Sequence, residues 1–141
     1  MNKRGPVIII EDDHDDQQLF SYVFTKLKYP NKVIFFNDGE AALHYLTTTN
    51  VLPFLILSDI NAPRLNGFEL RAKLKTDAAL QVKCIPCLLF SAVVDQKAVV
   101  DAYSLSVQGF FVKQASISEM EKTITAIMEY WLRCSAPNNF V

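Results

Sequence analysis

The sequence predicts an α/β domain: a five-stranded parallel sheet flanked by helices on both faces. Short aliphatic runs without polar alternation recur five times along the chain, as expected of strands covered on both sides. Stretches with helical spacing of apolar residues separate them, and strict alternation of strand with helix implies parallel crossover connections. The 141 residues, half hydrophobic and 21% charged, suffice for one domain with a substantial core. The whole chain, 1–141, is therefore expected to be a single domain. Its core should run over about residues 6–132, with 134–141 a flexible tail.

Val7-Ile8-Ile9-Ile10 is a β-branched strand that stops at Glu11-Asp12-Asp13-His14-Asp15-Asp16, where five of six residues are acidic. Leu19, Phe20, Val23, Phe24 and Leu27 mark one face of the next helix, which the Tyr29-Pro30-Asn31 turn ends. Val33-Ile34-Phe35-Phe36 is the second strand. Asn37-Asp38-Gly39 is a turn and cap, and Ala41, Ala42, Tyr45 and Leu46 form the buried stripe of a second helix. The third strand follows Pro53 and ends at Asp59, with Ala62-Pro63 and Asn66-Gly67 as loop punctuation before a helix at Phe68–Lys75. Ile85 to Phe90 is the fourth strand, with Pro86 tolerated at its start, and Ser91-Ala92 follows at its carboxyl end. A helix from about Asp95 to Ser104, a short strand Gly109–Val112 ending in Lys113, and a last helix complete the pattern. Ser116-x-x-Glu119 reads as a capping box opening that helix, whose buried face would comprise Ile117, Met120, Ile124, Ile127, Met128 and Trp131.

Composition narrows the function classes. A net charge of −1 leaves no global basic footprint for nucleic acid, and no apolar run reaches the length of a membrane span. The short run after Met1-Asn2-Lys3-Arg4 meets an acidic cluster, unlike a secretory signal, so the cytoplasm is the expected compartment. Cys84, Cys87 and Cys134 are an odd set without a disulfide framework. Cys84-x-x-Cys87 runs into a strand and not onto a helix start, which favours buried filler over a redox pair. With only His14 and His44 besides, no structural zinc site is expected.

The chemistry-bearing residues cluster by topology. In an open parallel sheet the crevice beyond the carboxyl ends of the strands is where ligands bind. Four strands deliver Glu11-Asp12, Asp59, Ser91 and Lys113 to that edge. Asp15 and Asp16 are read as first-turn charges favoured by the helix dipole. Glu11 and Asp12 precede the helix, where unpaired like charges repel unless a cation joins them, and few hard oxygen ligands suit Mg²⁺. Carboxylates for a metal, with Lys and Ser for anionic oxygens, make a phosphoryl-transfer site in which Asp59 is the candidate nucleophile.

In the order and spacing of these residues the chain closely resembles the receiver domain of bacterial two-component response regulators over about Pro6 to Leu132, Asp59, Pro63 and Gly67 matching the family's D-x-x-x-P-x-x-x-G. The resemblance implies the (βα)5 flavodoxin-like receiver fold and a stand-alone, chemotaxis-regulator-like switch. In that reading Glu11, Asp12, Asp59 and the backbone carbonyl of Asn61 bind Mg²⁺. Asp59 accepts phosphate from a sensor histidine kinase or phosphotransfer protein, Ser91 and Lys113 serve the phosphoryl group, and Phe110 is the aromatic switch residue. The output would be a protein target reached in trans through the helix, strand and helix that follow Ser91, with no nucleic acid or membrane involved and no turnover chemistry beyond loss of the phosphate. The alternatives are a degenerate receiver acting as a phosphorylation-independent binding module, and a haloacid-dehalogenase-like phosphohydrolase. The intact acidic, Ser and Lys positions oppose the first; Asn61, where the second wants an Asp, opposes the other. Three departures stand out: Ala62 where Met is commonest, Phe110 without a Tyr hydroxyl, and Gln114 in place of the Pro that follows the Lys. A cis bond costs about 2.5–4 kcal/mol before a non-proline residue against roughly 0.5–1 before proline. A trans Lys113–Gln114 bond is therefore expected, with the ammonium still near Asp59.

Overall fold

The computed structural model describes residues 1–137. Five strands, β1 (Val7–Ile10), β2 (Val33–Phe36), β3 (Leu55–Asp59), β4 (Cys87–Ser91) and β5 (Gly109–Val112), form one sheet in the order β2-β1-β3-β4-β5. All four strand pairs are parallel. The helices are α1 (His14–Leu27), α2 (Gly39–Thr48), α3 (Gly67–Thr76), the short α4 (Ala78–Gln81), α5 (Gln96–Ser104) and α6 (Ile117–Arg133). Among the described residues none is long and apolar enough to cross a membrane.

The unbroken apolar runs of β1, β3 and β4 follow from having a core on each side. Alternate residues point to opposite faces of a strand. Val7, Ile9, Leu55, Leu57, Leu88 and Phe90 join Phe20, Val23 and Phe24 of α1 and Met120, Ile124, Ile127 and Met128 of α6 in one cluster. Ile8, Ile10, Ile56, Cys87 and Leu89 join Ala42 and Leu46 of α2, Leu70 and Leu74 of α3 and Ala102 of α5 in the other. The three central strands are buried throughout, whereas β2 and β5, at the edges, are only partly covered.

Several sequence expectations need correction. The four-residue α4 was not foreseen; Asp77 caps it, its side chain accepting from Ala79 and Leu80 N–H. β4 starts at Cys87, after Pro86, whose carbonyl accepts from Ile56 N–H at 2.9 Å. Ser116 does cap α6, but the Glu119 carboxylate turns to Lys122 at 3.1 Å, so the reciprocal half of the box is missing. The reciprocal box lies instead at α3, where Asn66 Oδ1 accepts from Glu69 N–H and Glu69 Oε1 accepts from Asn66 N–H. Ala41 and Ile117, placed on buried stripes, are exposed. Cys87 is buried, as filler should be, but Cys84 is exposed at φ 51°. Of the expected tail, Ala136 is buried in the α1/α6 cluster rather than frayed; residues 138–141 lie outside the described residues. Among the described residues no peptide bond is cis, so Lys113–Gln114 is trans.

Candidate functional site: an acidic crevice at the carboxyl edge of the sheet

Strand register assembles the crevice. Ile10 pairs with Ser58, so Glu11, one residue past β1, falls beside Asp59 at the end of β3. Glu11 N–H still donates to Phe36 O at 2.9 Å, which keeps the chain in line with the sheet. Asp59 pairs with Phe90, and Ser91 is the next residue of β4. Lys113 follows β5, its N–H donating to Ser91 O at 2.9 Å. Four strands thus bring Glu11, Asp59, Ser91 and Lys113 to one edge, beside the point between β1 and β3 where the chain switches direction across the sheet.

The Lys113 ammonium sits among three carboxylates. It donates to Asp59 Oδ2 at 2.7 Å and Asp16 Oδ2 at 2.9 Å, and it also pairs with Glu11 Oε1. The other Asp59 oxygen, Oδ1, accepts from Asn61 N–H at 2.9 Å. Both acceptor oxygens are therefore held by donors, and the residue is only 9% exposed. Beneath it, α3 begins at Gly67, where a Cβ would come within 3.0 Å of Ile60 Cα and 3.1 Å of Asp59 O. The missing side chain lets the helix start directly against the loop that follows Asp59.

Glu11 is the strained partner. It is 1% exposed; Oε2 accepts from Asp13 N–H at 3.2 Å, while Oε1 has ion-pair contact with Lys113 but no hydrogen bond of proper geometry. Burial pushes its carboxyl up to about 7, against the opposing pull of Lys113 and the Asp13 N–H. For Lys113, burial works to lower the pKa, and the ion-paired carboxylates of Asp59, Glu11 and Asp16 outweigh it, so the ammonium is held above its ordinary range.

A family model described as the response regulator receiver domain matches residues 7–125. The chain belongs to this family. It is thus a response regulator receiver of two-component signalling, with the five-stranded parallel fold that implies. The receiver is 27% identical to the response regulator Rcp1 of Synechocystis sp. over 131 residues, covering 89% of this chain and 88% of that one. It is 27% identical over 130 residues to the probable methanogenesis regulatory protein FilR2 of Methanothrix harundinacea, with 89% and 83% covered. Among solved structures it resembles the phosphorylated cyanobacterial phytochrome response regulator RcpA, at a TM-score of 0.83 and 27% identity, over 95% of this chain and 98% of that one.

In this receiver Glu11, Asp12 and Asp59 can each offer an oxygen, all within 4.8 Å of one another. The donor set is all oxygen, and the buried Glu11 Oε1 is met only by the Lys113 ammonium as an ion pair, so these residues fit a small hard cation. Ser91 is 1% exposed, but its hydroxyl is turned onto its own loop, donating to Val93 O and accepting from Val93 N–H at 3.3 Å. The hydroxyl bonds to neither Asp59 nor Lys113. Phe110 pairs with Leu89 and is half buried against the cluster that holds Ala102 and Val107. The residue that sequence reasoning left out is Asp16. Its position in the first turn of α1 explained its charge too easily, and only its contact with a lysine 97 residues away shows that it belongs to the crevice.

Proposed function

We propose that this receiver is a Mg²⁺-dependent phosphoacceptor switch of the cytoplasm, phosphorylated on Asp59 by a sensor histidine kinase or phosphotransfer protein and acting on a protein target in trans. The observation that carries this reading is the Asp59 carboxylate, largely buried and bonded to the Lys113 ammonium, with Glu11 and Asp12 close enough to share a cation. An Asp59 oxygen would attack the phosphorus of a phosphohistidine as the P–N bond breaks and the imidazole leaves, giving an acyl phosphate. Lys113, kept charged by its carboxylate partners, offsets the charge on the phosphoryl oxygens. Glu11, Asp12, Asp59 and the Asn61 carbonyl would hold Mg²⁺, which supplies further charge neutralisation at the phosphoryl group when bound. Ser91 would reach the phosphoryl group only after leaving Val93, which makes its hydroxyl a sensor of phosphorylation. The phosphate is lost by hydrolysis, so the protein is a switch and not a turnover enzyme.

Incubation with acetyl phosphate and Mg²⁺, followed by intact mass measurement, tests this. Wild type should gain one phosphate, and Asp59→Asn and Asp12→Ala none. An unmodified wild-type protein would leave a phosphorylation-independent binding module as the reading, and multiple turnover of phosphate esters would make it a hydrolase.

A further inference from the structure

Lys113 ion-pairs with Glu11, Asp59 and Asp16, and two of these three, Glu11 and Asp59, also belong to the group that can share a cation. A divalent ion and the ammonium therefore compete for the same two carboxylates. Asp16 is the one partner of Lys113 outside that group. It is also the more exposed one, with a side chain 36% accessible against 1% for Glu11 and 10% for Asp59, so it lies toward the mouth of the crevice. Its position is pinned by the start of α1, where Asp16 N–H donates to Asp13 Oδ1 at 3.0 Å.

We infer that Asp16 is a positioning residue for Lys113, the carboxylate onto which the ammonium withdraws when a divalent cation takes over Glu11 and Asp59. The inference rests on the phosphoacceptor reading above. Its physical basis is desolvation: a largely buried ammonium pushed off two carboxylates is costly unless a third remains. With Asp16 present, cation binding exchanges partners of Lys113 instead of stripping them. Without it, Lys113 stays on Glu11 and Asp59, and the cation must displace it.

Calorimetric titration of the full chain with Mg²⁺ tests this without reference to phosphorylation. Asp16→Asn should weaken Mg²⁺ binding about fivefold, a size expected of one partly exposed ion pair. Asp15→Asn removes the same charge one position away, from a residue that makes no ion pair with Lys113, and should cost less than about twofold. Asp16→Glu should recover most of the loss. In a Lys113→Met background, Asp16→Asn should have no more effect than Asp15→Asn, since the pair on which it acts is gone. Equal shifts for Asp16→Asn and Asp15→Asn would overturn the inference and leave the phosphoacceptor reading standing, because only a general effect of charge would then remain. Failure of the wild-type protein to bind Mg²⁺ at all would instead remove that reading, and the inference with it.

Discussion

At the scale of single residues, the crevice concentrates unfavourable electrostatics on Glu11. A carboxyl whose folded pKa is raised from 4.5 to about 7 binds its proton more tightly in the folded state. Its contribution to stability is then fully present below about pH 4.5 and is lost as pH rises toward 7. In EDTA, Glu11→Gln should therefore be more stable than wild type at pH 7.5, by on the order of 3 kcal/mol at most, and no different at pH 4.5. Urea denaturation at the two pH values reads this directly; an equal difference at both would show that Glu11 ionises normally. Val93 gives a second residue-scale prediction. Its side chain is 78% exposed and can neither donate nor accept a hydrogen bond, so it offers nothing to a water attacking the acyl phosphate. Val93→Glu should shorten the lifetime of the phosphorylated protein severalfold, followed as loss of the phosphate adduct, while Val93→Ala leaves it nearly unchanged. Faster decay in the alanine variant would contradict this account.

At the scale of elements, what matters is where each helix and strand begins and ends, since Glu11, Asp59, Ser91 and Lys113 all lie at such boundaries. The reciprocal cap of Asn66 and Glu69 sets the start of α3 at Gly67, whose missing side chain lets that start press against the loop after Asp59. Asn66→Ala should destabilise the fold by about 1 kcal/mol, as loss of an N-cap generally does. The check is thermal or urea unfolding, with Ser116→Ala as a comparison. Ser116 makes a longer capping bond of 3.4 Å without the reciprocal half, so its loss should cost less. A larger effect at Ser116 would mean that the reciprocal box carries little of the stability.

At the scale of the whole molecule, the edge strand β5 connects the carboxylate crevice to an outer surface. Lys113 at its end bonds to Asp59, Phe110 within it packs toward α5, and Val100, Tyr103 and Val112 are exposed nearby. If Ser91 leaves Val93 for a phosphoryl oxygen, the loop between β4 and α5 loosens and Phe110 gains room to turn inward. Amide hydrogen exchange before and after beryllofluoride treatment should then change in α5, β5 and the start of α6. Change confined to α1 and α2 would refute this coupling. Trp131, near the end of α6, borders a hollow with Met1, Ile85 and Pro86 at the amino ends of the strands, opposite the edge that carries Glu11, Asp12 and Asp59, and should report poorly on cation binding.

The sequence by itself determined the five strands, their parallel arrangement and the edge to which Glu11, Asp12, Asp59, Ser91 and Lys113 are delivered. It could do so because an uninterrupted aliphatic run has no stable place except between two apolar layers, and parallel strands present all their carboxyl ends together. The stripes of α1 and α6 were legible for the same reason, although Ile117 fell outside the buried face. What only the tertiary structure decided are contacts between groups distant in sequence or choices between nearly equal local options. Asp16 satisfied a local rule at the helix start, so nothing along the chain marked it as a partner of Lys113. Ser116-x-x-Glu119 had the pattern of a capping box, but a lysine three residues on competes for the same carboxylate. Ser91 was placed correctly at the edge, yet the direction of its hydroxyl depends on the fold of the loop that follows. Periodicity is a property of one segment and can be read from it; the direction of a flexible polar side chain is set by whichever partner the rest of the fold brings within reach.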